Sequence, residues 1–169
     1  MSGKVSSEFA EIQIRPIEQR DNRQLATIVR DTLTEFGANV PGTVYFDPTT
    51  DALFELFRTP KSAYLVAERN GSLLGGGGIF PTEGLPEDTC ELVKMYLLPE
   101  ARGIGLGGSL VSRCLELAKA EGFRRVYLET LPELHLALKV YERFGFKYLD
   151  ASLGNSKHFG CGLWMLREI

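Results

Sequence analysis

The sequence predicts an α/β (α+β) fold in which about four helices flank one mixed β-sheet of about six to seven strands. Alternating apolar runs predict strands, and apolar residues at helical spacing predict helices, in the order strand, two helices, three strands, helix, strand, helix and two strands. The 169 residues contain no internal repeat and no linker, which favours a single domain with helices against a sheet. We expect residues 11–169 to form this domain after a flexible N-terminus at 1–10.

The amino-terminal part is expected to supply one short strand and two helices. The strand is predicted from Glu11 to Ile17, where a proline interrupts it. The first helix begins at Asp21, a good N-cap residue, and ends at Gly37. Ala38–Asp47 is irregular and precedes a short helix around Asp51–Arg58. We expect this irregular segment to border a substrate site.

A β-hairpin is predicted next. Strands at Ala63–Glu68 and Leu73–Phe80 are joined by Asn70-Gly71, a dipeptide that tolerates the positive φ angles of a two-residue turn. Four glycines, Gly75–Gly78, lie within the second of these strands. Glycine in a strand weakens it but permits a bulge or a close approach of another backbone.

The carboxy-terminal half alternates strands and helices. Pro99 ends the fourth strand, Gly122 and Gly145 end the two helices, and Pro132 opens the second helix. The predicted elements are a strand at Thr89–Leu98, a helix at Gly105–Glu121, a strand at Arg125–Thr130, a helix from Pro132 to Gly145, and strands around Phe146–Leu149 and Cys161–Leu166.

Composition excludes several classes of function. The net charge of -3, the pI near 5.5 and the lack of a Lys/Arg cluster argue against nucleic-acid binding. The three cysteines, Cys90, Cys114 and Cys161, have no metal-ligand spacing, so no metal is expected. No apolar run approaches the roughly twenty residues of a membrane span. We expect a cytoplasmic protein without membrane contact, and a homodimer stays open.

The glycine-rich segment from Arg102 to Gly108 predicts a phosphate site at the start of a helix. Glycines expose successive backbone N–H groups, and the helix dipole favours an anion there. Gly103, Gly105 and Gly108 also satisfy the dinucleotide pattern G-x-G-x-x-G, with Glu129 about twenty residues downstream as the ribose-binding acid. Against that alternative, four residues separate the strand from the first glycine, and the segment follows an antiparallel hairpin.

Two motifs in order resemble the GNAT superfamily of acyl-coenzyme A N-acyltransferases, and the resemblance extends from about residue 11 onward. The signature Q/R-x-x-G-x-G/A after the fourth strand is matched by Arg102, Gly105 and Gly107. The pattern A-x-x-x-Y-E-x-x-G-F of the penultimate helix is matched by Ala137, Tyr141, Glu142, Gly145 and Phe146. The resemblance implies the splayed mixed sheet of that family, with the fourth and fifth strands parting to admit a thioester.

The resemblance also implies acetyl-CoA as co-substrate and a set of residues that bind it. The backbone N–H groups of the glycine-rich segment would hold the pyrophosphate, and the end of the fourth strand would pair with the pantetheine arm. The implied cofactor-binding residues are Met95, Tyr96, Leu97, Arg102, Gly103, Ile104, Gly105, Leu106, Gly107 and Gly108.

Two side chains are candidates for catalysis. Tyr141, on the apolar face of its helix, is the candidate acid for the departing thiolate, and the alternative is a core tyrosine. By the resemblance, Glu91 occupies the place of a general base, and the alternatives are a surface residue or one that orients the substrate. His135 and His158 are weaker candidate bases. Leu134 replaces the asparagine that the family often has at this helix start.

The expected function is transfer of an acetyl group from acetyl-CoA to a primary amine, by direct attack in a ternary complex. The amine belongs to a small molecule, a peptide or a protein. Two alternatives stay open at this point, a dinucleotide-binding oxidoreductase and a non-catalytic acyl-CoA sensor on the same fold.

Overall fold

A computed structural model describes residues 11–156 and 160–169, so the flexible N-terminus predicted at 1–10 lies outside the described residues. The described part contains four α-helices and seven strands, which confirms the predicted fold class. The strands are β1 (Gln13–Pro16), β2 (Ala63–Arg69), β3 (Ser72–Phe80), β4 (Thr89–Leu97), β5 (Arg125–Thr130), β6 (Lys147–Leu149) and β7 (Leu163–Glu168). The helices are α1 (Asn22–Glu35), α2 (Leu53–Leu56), α3 (Leu106–Ala120) and α4 (His135–Arg143).

One mixed sheet has the strand order β1-β2-β3-β4-β5-β7-β6. Only β4 and β5 run parallel, and all other neighbours are antiparallel. The hairpin between β2 and β3 turns at Asn70 and Gly71, whose φ angles are 52° and 79°, as the sequence predicts. Within the two described segments, no helix is long and apolar enough to cross a membrane.

Three predicted boundaries are wrong. The helix predicted around Asp51–Arg58 is shorter and is α2, because a 3-10 turn precedes it in the chain. Asp47 caps this turn by accepting a hydrogen bond from Thr49 N at 2.9 Å. The helix expected from Pro132 begins at His135, since a turn comes first. The last strand runs over Leu163–Glu168 because it pairs with the whole of β5.

The sheet separates two apolar layers. Cys90 and Leu92 of β4 face α3, whereas Val93 faces the layer that contains α1, because side chains alternate along a strand. The α3 layer includes Leu110, Val111, Cys114, Val126 and Leu128, and the α1 layer includes Leu25, Ile28, Val66 and Leu73. Glu91 lies between Cys90 and Leu92 and therefore projects on the α1 side.

A β-bulge interrupts β4. Gly78 pairs with Val93 and Gly76 pairs with Tyr96, so β4 has one residue more than β3 between these two pairs. Lys94 has a φ angle of 52° at this point, in the left-handed region that non-glycine residues rarely adopt. The bulge lies opposite the glycine run, and a Cβ atom at any of Gly75–Gly78 would collide with β2 or β4, so the predicted close approach of another strand is confirmed.

We predict that Gly76→Ala destabilises the fold by about 1–3 kcal/mol, the usual cost of overpacking. A Cβ atom at this position would lie 2.5 Å from the carbonyl oxygen of Leu65 and 2.7 Å from Cε1 of Tyr64. Denaturant unfolding measures the loss, and Gly162→Ala is the control because a Cβ there meets nothing within 4 Å. Equal stability of the two variants would contradict the close packing.

Candidate active site

The parallel pairing of β4 with β5 covers only three residue pairs. It runs from Thr89 opposite Arg125 to Glu91 opposite Tyr127, and beyond Glu91 the two strands part, as the resemblance implies. The opening leads into a cavity of about 810 Å³ lined by both strands and by α1, α3 and α4. A parting of this kind exposes backbone groups of β4 that a neighbouring strand would otherwise pair.

The glycine-rich segment supplies the polar end of this cavity. Among the described residues, none accepts a hydrogen bond from the six backbone N–H groups of Gly103 to Gly108. These groups lie at and before the first turn of α3, where helical N–H groups have no intrahelical partner. Such a row of free donors, with the positive end of the helix dipole, is suited to a phosphate.

Glycine is required twice in this segment for conformational reasons. Gly103 has a φ angle of 75° and Gly105 one of 84°, both in the left-handed region. Gly107 and Gly108 lie in α3 itself, where a Cβ atom would come within 3.5 Å of Leu97 and Phe144, respectively. Gly103 and Gly105 therefore shape the turn, whereas a Cβ atom at Gly107 or Gly108 would make ordinary van der Waals contacts.

Arg102 lines the same cavity, but its side chain is held by protein groups. Its guanidinium donates to both carboxylate oxygens of Glu35, at 2.8 and 2.7 Å, and to the carbonyl oxygen of Leu97. The predicted cofactor-binding residues on β4, Met95, Tyr96 and Leu97, also line the cavity.

Glu91 is buried at the point where β4 and β5 part. Only 3% of the residue is exposed, and the nearest described donor, Oγ1 of Thr82, lies 3.5 Å from Oε1. Burial, with the neighbouring charge of Glu129, raises the pKa of Glu91 to about 8, while Lys94 and the Thr82 hydroxyl lower it. The surface alternative for Glu91 is wrong, and the carboxyl group can exchange a proton near neutral pH.

Glu129 is a second carboxylate in the cavity. It follows Tyr127, the partner of Glu91, by two residues on β5 and so projects on the same side of the sheet. The Tyr127 hydroxyl donates to Glu129 at 2.7 Å, Ser156 also donates to it, and Leu153 N donates to the Tyr127 oxygen at 3.0 Å. The sequence marks Glu129 only as the ribose-binding acid of the dinucleotide alternative, because the nearness of Glu129 to Glu91 depends on strand register.

Lys94 was missed by sequence analysis. It lines the cavity and is 7% exposed, and no described residue accepts a hydrogen bond from its ammonium group. Burial lowers the pKa of Lys94, and the carboxylates of Asp47 and Glu91 act in the opposite direction. The bulge in β4 places this lysine, and no local sequence signal marks a bulge at residue 94.

Tyr141 lies on α4 with 6% of its surface exposed, and its ring packs edge-on against Phe146. Its hydroxyl has no hydrogen-bond partner among the described residues, yet it is not sealed from solvent, so it opens into the cavity that Tyr141 lines. Burial raises the pKa of Tyr141 well above its ordinary value. The phenol is therefore protonated at neutral pH and can donate a proton.

Of the two histidine candidates, one does not line the cavity and the other lies outside the described residues. His135 is exposed, and its ring meets Phe36 edge-on at 5.9 Å, whereas His158 lies outside the described residues. Cys161 lines the cavity, but burial raises the pKa of its thiol to about 12. In residues 11–156 and 160–169, no three metal-binding side chains cluster. Leu134, which replaces the asparagine that the family often has, lines the cavity just before the start of α4.

Comparison with known proteins decides which phosphate-binding class this site represents. The model of the acetyltransferase (GNAT) family matches residues 25–146, which is most of the chain. The chain belongs to the GNAT family. A relative in Escherichia coli, described as the uncharacterized N-acetyltransferase YjgM, is 40% identical over 157 residues, which cover 92% of this chain and 94% of that protein. The GNAT assignment confirms an N-acetyltransferase with acetyl-CoA as co-substrate and overturns the dinucleotide alternative.

Solved structures share the fold of this GNAT chain. An acetyltransferase of the GNAT family from Staphylococcus aureus has a TM-score of 0.83 at 17% identity, covering 94% of this chain and 99% of that one. A putative acetyltransferase from Salmonella typhimurium, determined with acetyl-CoA, has a TM-score of 0.71 at 18% identity, with 94% of each chain covered. Both likenesses concern the whole mixed sheet and its helices.

We predict that Glu91 makes the stability of the protein depend on pH. The native protein binds a proton at Glu91 that the unfolded chain releases, so the stabilising contribution is complete below pH 4.5 and is lost as pH rises toward about 8. The free energy of unfolding of the wild type, relative to Glu91→Gln, should fall by about 1.4 kcal/mol per pH unit within that window.

Urea unfolding of both proteins at several pH values measures this difference. Glu116→Gln serves as the control because Glu116 is exposed on α3. A difference between wild type and Glu91→Gln that does not vary with pH would show that the Glu91 carboxyl titrates normally.

Proposed function

We propose that the protein acetylates a primary amine of a small molecule or peptide by direct attack in a ternary complex, with Glu91 as base and Tyr141 as acid. One observation carries the proposal: the glycine-rich segment, whose N–H groups have no acceptor among the described residues, lines the same cavity as Glu91 and Tyr141 through Gly103, Gly105, Gly107 and Gly108. An anchor for a diphosphate and two groups that exchange protons are the parts that acetyl transfer to an amine needs.

Acetyl-CoA would supply an activated acetyl thioester. The backbone N–H groups from Gly103 to Gly108 would bind its pyrophosphate, and the backbone of Met95 to Leu97, beyond the point where β5 departs, would pair with the pantetheine arm. The N–H groups of the glycine-rich segment, its positive φ glycines and the lack of a β5 partner for this part of β4 support this assignment. Ile104, 55% exposed, and Leu106 complete the turn.

Glu91 is suited to accept a proton from the incoming ammonium group, because only a neutral amine attacks. A base works best when its pKa lies near the operating pH, and the pKa of Glu91 is about 8. Glu129 is the alternative base, favoured by its partial exposure in the same cavity. Its bonds to Tyr127 and Ser156 hold the carboxylate in place, which equally suits the docking of a cation.

Tyr141 is suited to protonate the leaving thiolate. Its hydroxyl opens into the cavity without a described protein partner, and its raised pKa keeps the proton on the oxygen. The core alternative accounts for the buried ring but not for an unpaired hydroxyl at a cavity surface. A cytoplasmic location stays a prediction from the sequence, and a homodimer stays open.

We expect Tyr141→Phe to lower kcat by about 10²-fold with an unchanged Kd for coenzyme A, because only one proton and one hydroxyl are removed. Turnover is measured as thiol release in a panel of amines, amino acids and peptides. Tyr148→Phe, which removes an exposed hydroxyl bonded to Glu142, is the control. Wild-type turnover in Tyr141→Phe would assign Tyr141 to the core, and no thiol release with any amine would contradict the proposal.

Glu91→Gln and Glu129→Gln distinguish the two carboxylates. If Glu91 is the base, kcat/KM of the wild type rises with pH toward about 8, and Glu91→Gln loses this rise. Glu129→Gln keeps the rise but moves it to lower pH, since the Glu129 charge raises the pKa of Glu91. The ionisation of the substrate amine affects all three proteins equally, so it cancels when kcat/KM of each variant is divided by kcat/KM of the wild type at the same pH. Loss of the rise in Glu129→Gln alone would make Glu129 the base.

A further inference from the structure

Arg102 stands immediately before the free N–H groups, where a cation would be expected to bind phosphate directly. Its guanidinium has five N–H donors, and four are already used: two by Glu35 and two by the carbonyl oxygen of Leu97. One face of the guanidinium also lies over the Phe36 ring, 5.1 Å from its centroid. Little of the group is left for a ligand.

These contacts close the turn that leads into the glycine-rich segment. The chain leaves β4 at Leu97, passes through a 3-10 turn at Pro99–Ala101, and returns at Arg102, whose side chain bonds back to Leu97. The next residue, Gly103, begins the row of free N–H groups. The direction of those donors therefore depends on how firmly Arg102 is held.

Glu35 holds Arg102 from a different part of the chain. It is the last residue of α1, and Gly37, with a φ angle of 68°, ends the helix there. Both carboxylate oxygens take part in a bidentate pair, and the guanidinium lowers the pKa of Glu35, which keeps the pair ionised. Glu35 itself does not line the cavity, whereas Arg102 and Phe36 do.

We propose that Glu35 is a positioning residue for coenzyme A, which acts by fixing Arg102 so that the pyrophosphate-binding turn is shaped before the ligand arrives. Arg102 is then a brace of the turn and not a phosphate ligand. This inference rests on the proposed binding of the pyrophosphate by residues 103–108. It assigns a role in cofactor binding to the end of α1, which sequence analysis did not consider.

The sign of the effect of Glu35→Gln separates this inference from direct phosphate binding. If Arg102 bound phosphate, loss of the Glu35 charge would free the guanidinium and remove a repelling anion, so coenzyme A would bind more tightly. If Arg102 is a brace, the turn loosens and binding weakens. We expect the Kd for coenzyme A to rise by about 5- to 20-fold, the size of effect of a lost charge-assisted bidentate pair.

Isothermal titration with coenzyme A measures these affinities without any acceptor amine. Asp31→Asn is the matched control, since it removes the same charge one turn earlier on the exposed face of α1, and its Kd should stay within about twofold of wild type. In turnover assays, KM for acetyl-CoA should rise in Glu35→Gln while kcat at saturation stays unchanged.

The charge-reversed pair Glu35→Arg with Arg102→Glu adds a rescue test. If Arg102 acts through its ion pair with Glu35, the reversed pair restores that ion pair in part, so the double variant should bind coenzyme A more tightly than Arg102→Glu alone. If Arg102 binds phosphate itself, a glutamate at position 102 cannot do so, and the double variant should bind no better than Arg102→Glu. Thermal melting of each variant without ligand checks that it is folded. If the charge-reversed double variant is unfolded, the direction of the change in Kd for coenzyme A in Glu35→Gln decides between the two roles of Arg102.

Tighter or unchanged binding in Glu35→Gln would overturn the inference. A wild type that fails to bind coenzyme A would overturn the proposed function itself and the inference with it. Weakened binding in Glu35→Gln with normal binding in Asp31→Asn is the result that supports the brace.

Discussion

The parallel pairing of β4 with β5 ends after Glu91 and Tyr127, and the rest of the site depends on where it ends. A parallel neighbour would pair with β4 beyond Glu91, whereas its departure leaves backbone groups there to other partners, such as the Arg102 guanidinium at the carbonyl oxygen of Leu97. The same parting opens the cavity toward the α1 side of the sheet, where Glu91 and Glu129 project. Strand pairing thus decides both where the cofactor arm can lie and which carboxylates it meets.

Two kinds of polar group meet in this cavity, and they differ in how the fold stabilises them. The N–H groups at the start of α3 have no acceptor among the described residues because a helix start leaves them without an intrahelical partner, and glycine keeps them uncovered. Glu91 and Lys94 are buried side chains whose charged forms are disfavoured by burial. The first set suits a permanently charged phosphate, and the second suits groups that exchange protons.

Local features of the site could be predicted from the sequence, whereas features set by strand register could not. The glycine-rich segment and the helix that carries Tyr141 follow from spacing within a few residues, and the structure has both. The approach of Glu129 to Glu91 joins residues 38 positions apart and requires the β4–β5 register. The pairing of Arg102 with Glu35, 67 positions away, likewise depends on how α1 packs. The start of α4 at His135 was missed because Pro132 suits a turn as well as a helix start.

The bulge at Lys94 has a consequence for the shape of the whole cleft. Without this one residue, Gly77 would stand opposite Met95 and the ladder between β3 and β4 would be regular. A bulge bends its strand and increases the local twist, and this one lies just past the last pair that joins β4 to β5. A single inserted amino acid can thus turn the end of β4 away from β5. The width of the cleft then depends on whether β4 contains this one extra residue.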